Sequence, residues 1–298
     1  AEEVRGALMA RVRQGARPPE ALADLLPLIH EARLIKSEAE LALLRHAAEI
    51  SARAHRRAMR AARPGLAEYH LQAELEHEFR WQGGSGAAYA SIVGGGANAC
   101  VLHYIENQAP LADGDLVLID AGAEFDLYAG DITRTFPVNG RFSEAQRALY
   151  ELVLRVQEQA VAAIRPGVTL VRLHEGVVRG LTEGLIELGL LEGEVQARID
   201  DESYRRFYLH STSHWLGLDV HDVGAYRQGG EPRPLVPGMV LTVEPGLYVP
   251  ADDDIPEAFR GIGIRIEDDV AVTAGGHEVL TTGVPKRVSE IEALMARK

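Results

Sequence analysis

One pattern occurs twice along the chain, and it restricts the fold more than any other feature. Ser37 and Glu40 form an S-x-x-E capping box, in which each side chain serves backbone N–H groups at a helix start. Apolar Leu41, Leu44, Ala48 and Ile50 follow at near-helical spacing. Arg63-Pro64-Gly65 ends the run, because proline cannot continue a helix and glycine permits a tight turn. A second helix is expected over roughly Leu66–Trp81. Ser143 and Gln146 then offer a second capping box, a helix is expected to reach Ile164, Arg165-Pro166-Gly167 stops it, and another helix runs from about Val168 to Leu188. The two R-P-G turns are 102 residues apart.

Each helix pair leads to a strand of one design. Gly114–Gly122 and Gly238–Gly246 both read G-x-apolar-x-x-apolar-acid-x-G, which sets Asp120 on Glu244 at an offset of 124 residues. The second half is therefore about 22 residues longer, and the histidine-rich segment His210–His221 falls in the expected insertion. The expectation is an α/β (α+β) fold of duplicated helix-helix-strand halves about a pseudo-two-fold, with the site between them, where ligand sites favour such interfaces.

The acids define the chemistry. Asp120 ends the apolar run Leu116–Ile119, and a carboxylate in so apolar a setting needs a cation. Asp131 follows 11 residues later, before the alternating Ile132–Phe136, with Gly122 to Gly130 read as the loop of a β-hairpin. Glu244 and Glu267 are the second-half acids, Glu267 after the alternating Ile262, Ile264 and Ile266. Either aspartate alone could be a turn residue or the partner of Arg134, but four acids on four strands paired by a repeat are not well explained that way. His210, His214 and His221 lie within twelve residues, with Asp219 and Asp222 as candidate orienting partners, and His103 sits at the equivalent edge of the first half. Carboxylates with one imidazole suit a pair of divalent ions such as Mn, Co or Zn, which activate water and stabilise an oxyanion.

Other features narrow the field. A net charge of −13 argues against nucleic-acid binding. No apolar run is long enough to span a bilayer, and Glu2, Glu3 and Arg5 interrupt any signal-peptide core. The single cysteine, Cys100, excludes an intrachain disulfide and a cysteine-based zinc site, and a cytoplasmic location is the default. The glycine stretches Gly83–Gly86 and Gly94–Gly96 lack a P-loop ending and read as loops, and no G-x-S-x-G is present. Asp252–Asp254 reads as an exposed loop.

Over residues 30–298 the sequence resembles the aminopeptidase P (Xaa-Pro aminopeptidase) group of the pita-bread metallopeptidases. The motifs are Leu102-His103-Tyr104, Asp120-Ala121-Gly122, Gly130–Thr135, Ser213–Gly217, Val243–Gly246 and Arg265–Asp268. The resemblance implies metal ligands Asp120, Asp131, His214, Glu244 and Glu267, with Asp131 and Glu267 bridging two ions, commonly manganese. It implies that His103, His210 and His221 line the substrate site, that Arg265 supports it electrostatically, and that Glu244 shuttles protons beside a metal-bridging hydroxide. The substrates implied are peptides with proline second, and homo-oligomers are expected. Residues 1–30 would be the remnant of a separate N-terminal domain and 31–298 the catalytic domain. One departure is Ser211-Thr212-Ser213, where the group usually has glycine after the first histidine. The rivals are prolidase, methionine aminopeptidase, a non-catalytic binder on the same fold and, without the resemblance, a two-metal phosphohydrolase.

Overall fold

The computed structural model describes residues 2–21 and 23–296. Helix α1 (Glu2–Ala10) buries none of its residues, while α2 (Leu26–Leu34) crosses the expected boundary at residue 30 and inserts Leu34 into the core. The expected helix pairs follow as α3 (Glu38–Ala61) with α4 (Glu68–Trp81), and α5 (Glu144–Ala163) with α6 (Leu170–Glu187). Both capping boxes form. Ser37 N–H donates to Glu40 at 2.7 Å and Ser143 N–H to Gln146 at 2.9 Å, each returned by the backbone N–H of the third helical residue. Helix α7 (Val195–Asp200) follows α6, and α8 (Val288–Met295) closes the chain against α3.

The strands are β1 (Gly86–Ala87), β2 (Ile92–Gly95), β3 (Leu116–Asp120), β4 (Ala123–Phe125), β5 (Tyr128–Ala129) and β6 (Thr133–Pro137) in the first half. The second half holds β7 (Arg227–Gln228), β8 (Glu231–Pro232), β9 (Val240–Val243), β10 (Gly246–Tyr248), β11 (Gly263–Arg265), β12 (Asp268–Thr273) and β13 (Gly276–Val279). Every pairing between them is antiparallel: β2-β3-β6 and β9-β12-β13 form the two main sheets, with β4-β5 and β10-β11 as smaller hairpins. Helices α3 and α4 cover β2, β4 and β5, and α5 covers β9, β10 and β11.

The duplication extends further than the sequence suggests. In each half an acid stands at the end of a strand (Asp120 as the last residue of β3, Glu244 directly after β9), a hairpin intervenes (β4-β5, β10-β11), and a second acid precedes the next strand (Asp131 before β6, Glu267 before β12). The two acids are 11 residues apart in the first half and 23 in the second, where the hairpin is longer. The halves join where β6 meets β11: Glu267 N–H donates to Thr133 O at 3.1 Å, and Arg265 N–H to Thr135 Oγ1 at 3.2 Å.

Three expectations change. The stretch Gly122–Gly130 is not a plain loop but carries β4-β5, turned by Asp126 and Leu127, both in the left-handed region (φ 46° and 72°), as a two-residue type I′ hairpin requires. Gly94 and Gly95 lie in β2, not in a loop; a Cβ on either would meet Asn98 or Leu111, because the chain folds back over the strand. The histidine segment is not an insertion. Residues 212–216 run along β9 as β2 runs along β3, with Glu244 N–H donating to Thr212 O at 2.9 Å and Thr242 N–H to His214 O at 3.0 Å. The surplus residues form α7, the turn at Ser203–Arg206 and the β7-β8 hairpin.

Candidate active site

The backbone sets the acids before any side chain acts. Asp120 ends β3, and Ala121 N–H then donates to Ile132 O at 3.0 Å, so Asp120 and Asp131 leave adjacent strands side by side. Gly122 crosses Gly130 so closely that a Cβ on Gly122 would lie 1.6 Å from Gly130 O, which is why the neck of this hairpin needs glycine. On the other side of the pseudo-two-fold, Ile266 N–H donates to Pro245 O at 3.3 Å and holds Glu244 beside Glu267. His214 enters from the segment along β9.

Candidate ligand atoms of Asp131, His214 and Glu267 lie within 4.8 Å of one another. His214 Nε2 stands 3.4 Å from Asp131 and 3.6 Å from Glu244. Asp120 and Glu244 flank this cluster. Asp120 is turned to the Tyr89 hydroxyl at 2.6 Å and to Arg265 at 2.6 Å, and Glu244 Oε2 lies 3.7 Å from His210. These residues, with His103, His221 and Arg265, all line one cavity of about 880 Å³. The rings of His214 and His221 meet edge to face, 4.4 Å between centroids.

The charge balance is one-sided. Four carboxylates face Arg265 and one imidazole. Burial pushes the Glu244 carboxyl up to about 7 despite His214 and Arg265, and it also raises Asp131 and Glu267, with the neighbouring carboxylates adding to the rise. Burial opposes protonation of His214, but Asp131 and Glu244 outweigh it and lift the ring to about 9. Burial holds His210 down to about 4. Oxygen donors with a single imidazole, gathered where their charge is uncompensated, fit divalent cations of the Mn, Co or Zn kind.

The supporting shell was largely invisible to motif reading. Tyr89 OH donates to Asp120 and also contacts Asp131 Oδ1, tying the two acids together. Arg265 reaches Thr133 Oγ1 at 3.1 Å and Tyr248 OH at 2.8 Å, and Thr133 donates to Glu267 at 2.6 Å. Asp269 accepts from Asp131 N–H at 3.0 Å. Thr133 lies inside a motif, and Tyr248 and Asp269 lie just beyond one; nothing in the local pattern marks Tyr89.

Several anticipated partners act elsewhere. Asp219 and Asp222 do not orient histidines: Arg33 binds both, at 2.7 Å for Asp219, and Lys36 takes Asp222 at 3.0 Å, so α2 and the turn after it are locked to the histidine segment. Arg134 is buried against Asp268 at 2.7 Å and does not pair with Asp131. Asp252 and Asp254 are exposed partners of Arg206. Cys100 is half-buried, its thiol pushed up to about 11 by burial.

Residues 42–274 match the family model described as metallopeptidase family M24. The chain belongs to that family. Among M24 relatives, it is 51% identical to the Xaa-Pro aminopeptidase of Escherichia coli, over 100% of this chain and 69% of that protein. It is also 51% identical to the Xaa-Pro aminopeptidase of Haemophilus influenzae, over 92% of this chain and 64% of that protein. The solved aminopeptidase of Pseudomonas aeruginosa superposes with a TM-score of 0.95 at 57% identity, covering 99% of this chain and 67% of that one. A zinc-substituted E. coli aminopeptidase P in complex with product gives 0.94 at 52% identity, covering 98% and 67%. The chain thus spans about two thirds of the length of these relatives. At this identity the pita-bread architecture of the M24 metallopeptidases is shown for this chain as well.

Proposed function

We propose that this chain carries the catalytic unit of an Xaa-Pro aminopeptidase, residues 31–298, which hydrolyses the bond between an N-terminal residue and a following proline. The observation that carries the reading is the convergence of Asp120, Asp131, His214, Glu244 and Glu267 in one cavity, in a chain half identical to such enzymes. These five would hold two divalent ions, with Asp131, His214 and Glu267 at the centre of the cluster and manganese the favoured metal. Bound there, the ions would supply Lewis acidity and an acidified water for attack on the carbonyl carbon.

The protein's own groups do the rest. The Xaa-Pro bond is a tertiary amide, so its nitrogen carries no hydrogen and must gain a proton to leave. Glu244, at the margin of the cluster and 3.7 Å from His210, is placed to receive a proton from water and pass it on. His103 and His221 line the same cavity and can bind the substrate's carbonyl oxygens. Arg265, shared between Asp120 and Tyr248, fixes Asp120 and adds positive potential beside the reacting carbonyl.

No helix among the described residues is long and apolar enough to cross a membrane. We read the protein as cytoplasmic, acting on peptides with no role for nucleic acid or membrane, and as a homo-oligomer. The deciding assay offers Arg-Pro-Pro and Ala-Pro to metal-stripped protein with and without added Mn. Mn-dependent release of Arg from the tripeptide is expected. Cleavage of Ala-Pro alone would make the protein a dipeptidase, and no cleavage with metal bound would reject a peptidase role for this chain.

A further inference from the structure

The cavity contains one more histidine, which none of the motifs includes. His174 sits in the second turn of α6 and lines the cavity wall. It ends a file of contacts that leads away from the acids. His210 lies 3.7 Å from Glu244, the rings of His210 and Tyr208 are 5.0 Å apart, and those of Tyr208 and His174 are 5.8 Å apart. His174 Nδ1 is 2.9 Å from Thr212 Oγ1, and the Tyr208 hydroxyl is 2.9 Å from the same oxygen.

The hydrogen-bond directions in this trio are constrained. Tyr208 and Thr212 are both buried, and the Tyr208 hydroxyl has no other described partner. Its proton must therefore go to Thr212, because a buried O–H without an acceptor is costly. Thr212 is then left to donate its own proton to His174 Nδ1. Burial, helped by Arg205, holds the His174 ring below the ordinary histidine value, so it is neutral and carries its single proton on Nε2. No described residue partners that nitrogen, and it is not sealed from solvent.

We propose that His174 is a substrate-binding residue whose Nε2–H hydrogen-bonds a peptide oxygen of the residues that follow the scissile bond. The inference rests on the Xaa-Pro aminopeptidase reading and deepens it. In such an enzyme one residue precedes the bond, about 3.5 Å of chain. Backbone oxygens that reach as far from the acids as His174 must therefore belong to the proline or beyond. Thr212 and Tyr208 set the tautomer, and α6 sets the ring position, so the donor is preorganised before substrate arrives.

Two variants separate this role from a merely structural one. Asn at 174 can still meet Thr212, because its amide lies where Nδ1 was, but it leaves no donor at the Nε2 position. Gln places its amide near Nε2 and gives up the Thr212 contact. With Arg-Pro-Pro and added Mn, H174N is expected to raise KM about five-fold at little-changed kcat, the usual effect of losing one hydrogen bond. H174Q should recover most of that loss. Independently of turnover, 15N NMR of the imidazoles should show a resonance of the Nε2–H tautomer that disappears in H174Q. Equal KM values for both variants, recovery by H174N and not H174Q, or an Nδ1–H tautomer would each overturn the inference while leaving the peptidase reading intact. A wild type that cleaves no Xaa-Pro peptide would overturn both.

Discussion

Glu68, the first residue of α4, is fully buried and accepts four hydrogen bonds. Gly95 N–H and Asn98 Nδ2 donate to one oxygen at 2.8 and 2.9 Å, and Tyr104 OH and Ala109 N–H to the other, both at 2.8 Å. This one carboxylate therefore ties both ends of the segment that carries His103 to the end of β2. Replacing Glu68 with Gln keeps the shape but turns one acceptor oxygen into an NH2 facing two donors. At about 1–3 kcal/mol for each orphaned donor the loss would be roughly 2–6 kcal/mol. Tyr104 is only half-buried and can reverse its hydroxyl, which places the expected loss at about 2–3 kcal/mol by the same figures. Urea denaturation of the metal-loaded protein measures it, and kcat/KM on Arg-Pro-Pro should fall about tenfold as His103 loses its position. Stability within about 0.5 kcal/mol of wild type together with an unchanged kcat/KM would refute the idea that this carboxylate holds the loop.

Three further outcomes are expected. Asp268→Asn leaves Arg134, with 1% of its side chain exposed, without its anion, and should cost about 3–5 kcal/mol in denaturation experiments. Burial works to raise the Asp268 carboxyl, but Arg134 and Lys286 hold it well below the usual range; its contribution is therefore full above about pH 4 and lost as pH falls toward the folded value, a dependence the variant should lack. Tyr89→Phe removes the hydroxyl shared by Asp120 and Asp131 and should lower metal affinity or kcat/KM by about 10-fold or more, read by metal titration and assay, with the melting temperature little changed. Gly122→Ala sets a Cβ 1.6 Å from Gly130 O; the hairpin neck must open, and thermal denaturation should show a loss of at least about 2 kcal/mol together with lost activity.

The amino-acid sequence determined the repeat, and the repeat determined most of the fold. Capping boxes, R-P-G stops and acid-ended strands are local signals, since each depends on residues within a few positions of one another, and all of them formed where they were read. The same locality placed the four candidate acids at strand ends, whereas His214 joins them only because the fold lays residues 212–216 along β9. Tertiary structure alone decided which side chains serve those five. Tyr89 reaches Asp131 across 42 residues, Arg265 reaches Asp120 across 145, and Arg33 claims Asp219 across 186. Such pairings leave no periodicity in the chain. A hydrogen-bonding side chain far along the sequence has many candidate partners until packing removes all but one. That is why Asp219 and Asp222 could be taken for orienting partners of histidines, and why His174, alone on an amphipathic helix, carried no signal until α6 was packed against Thr212.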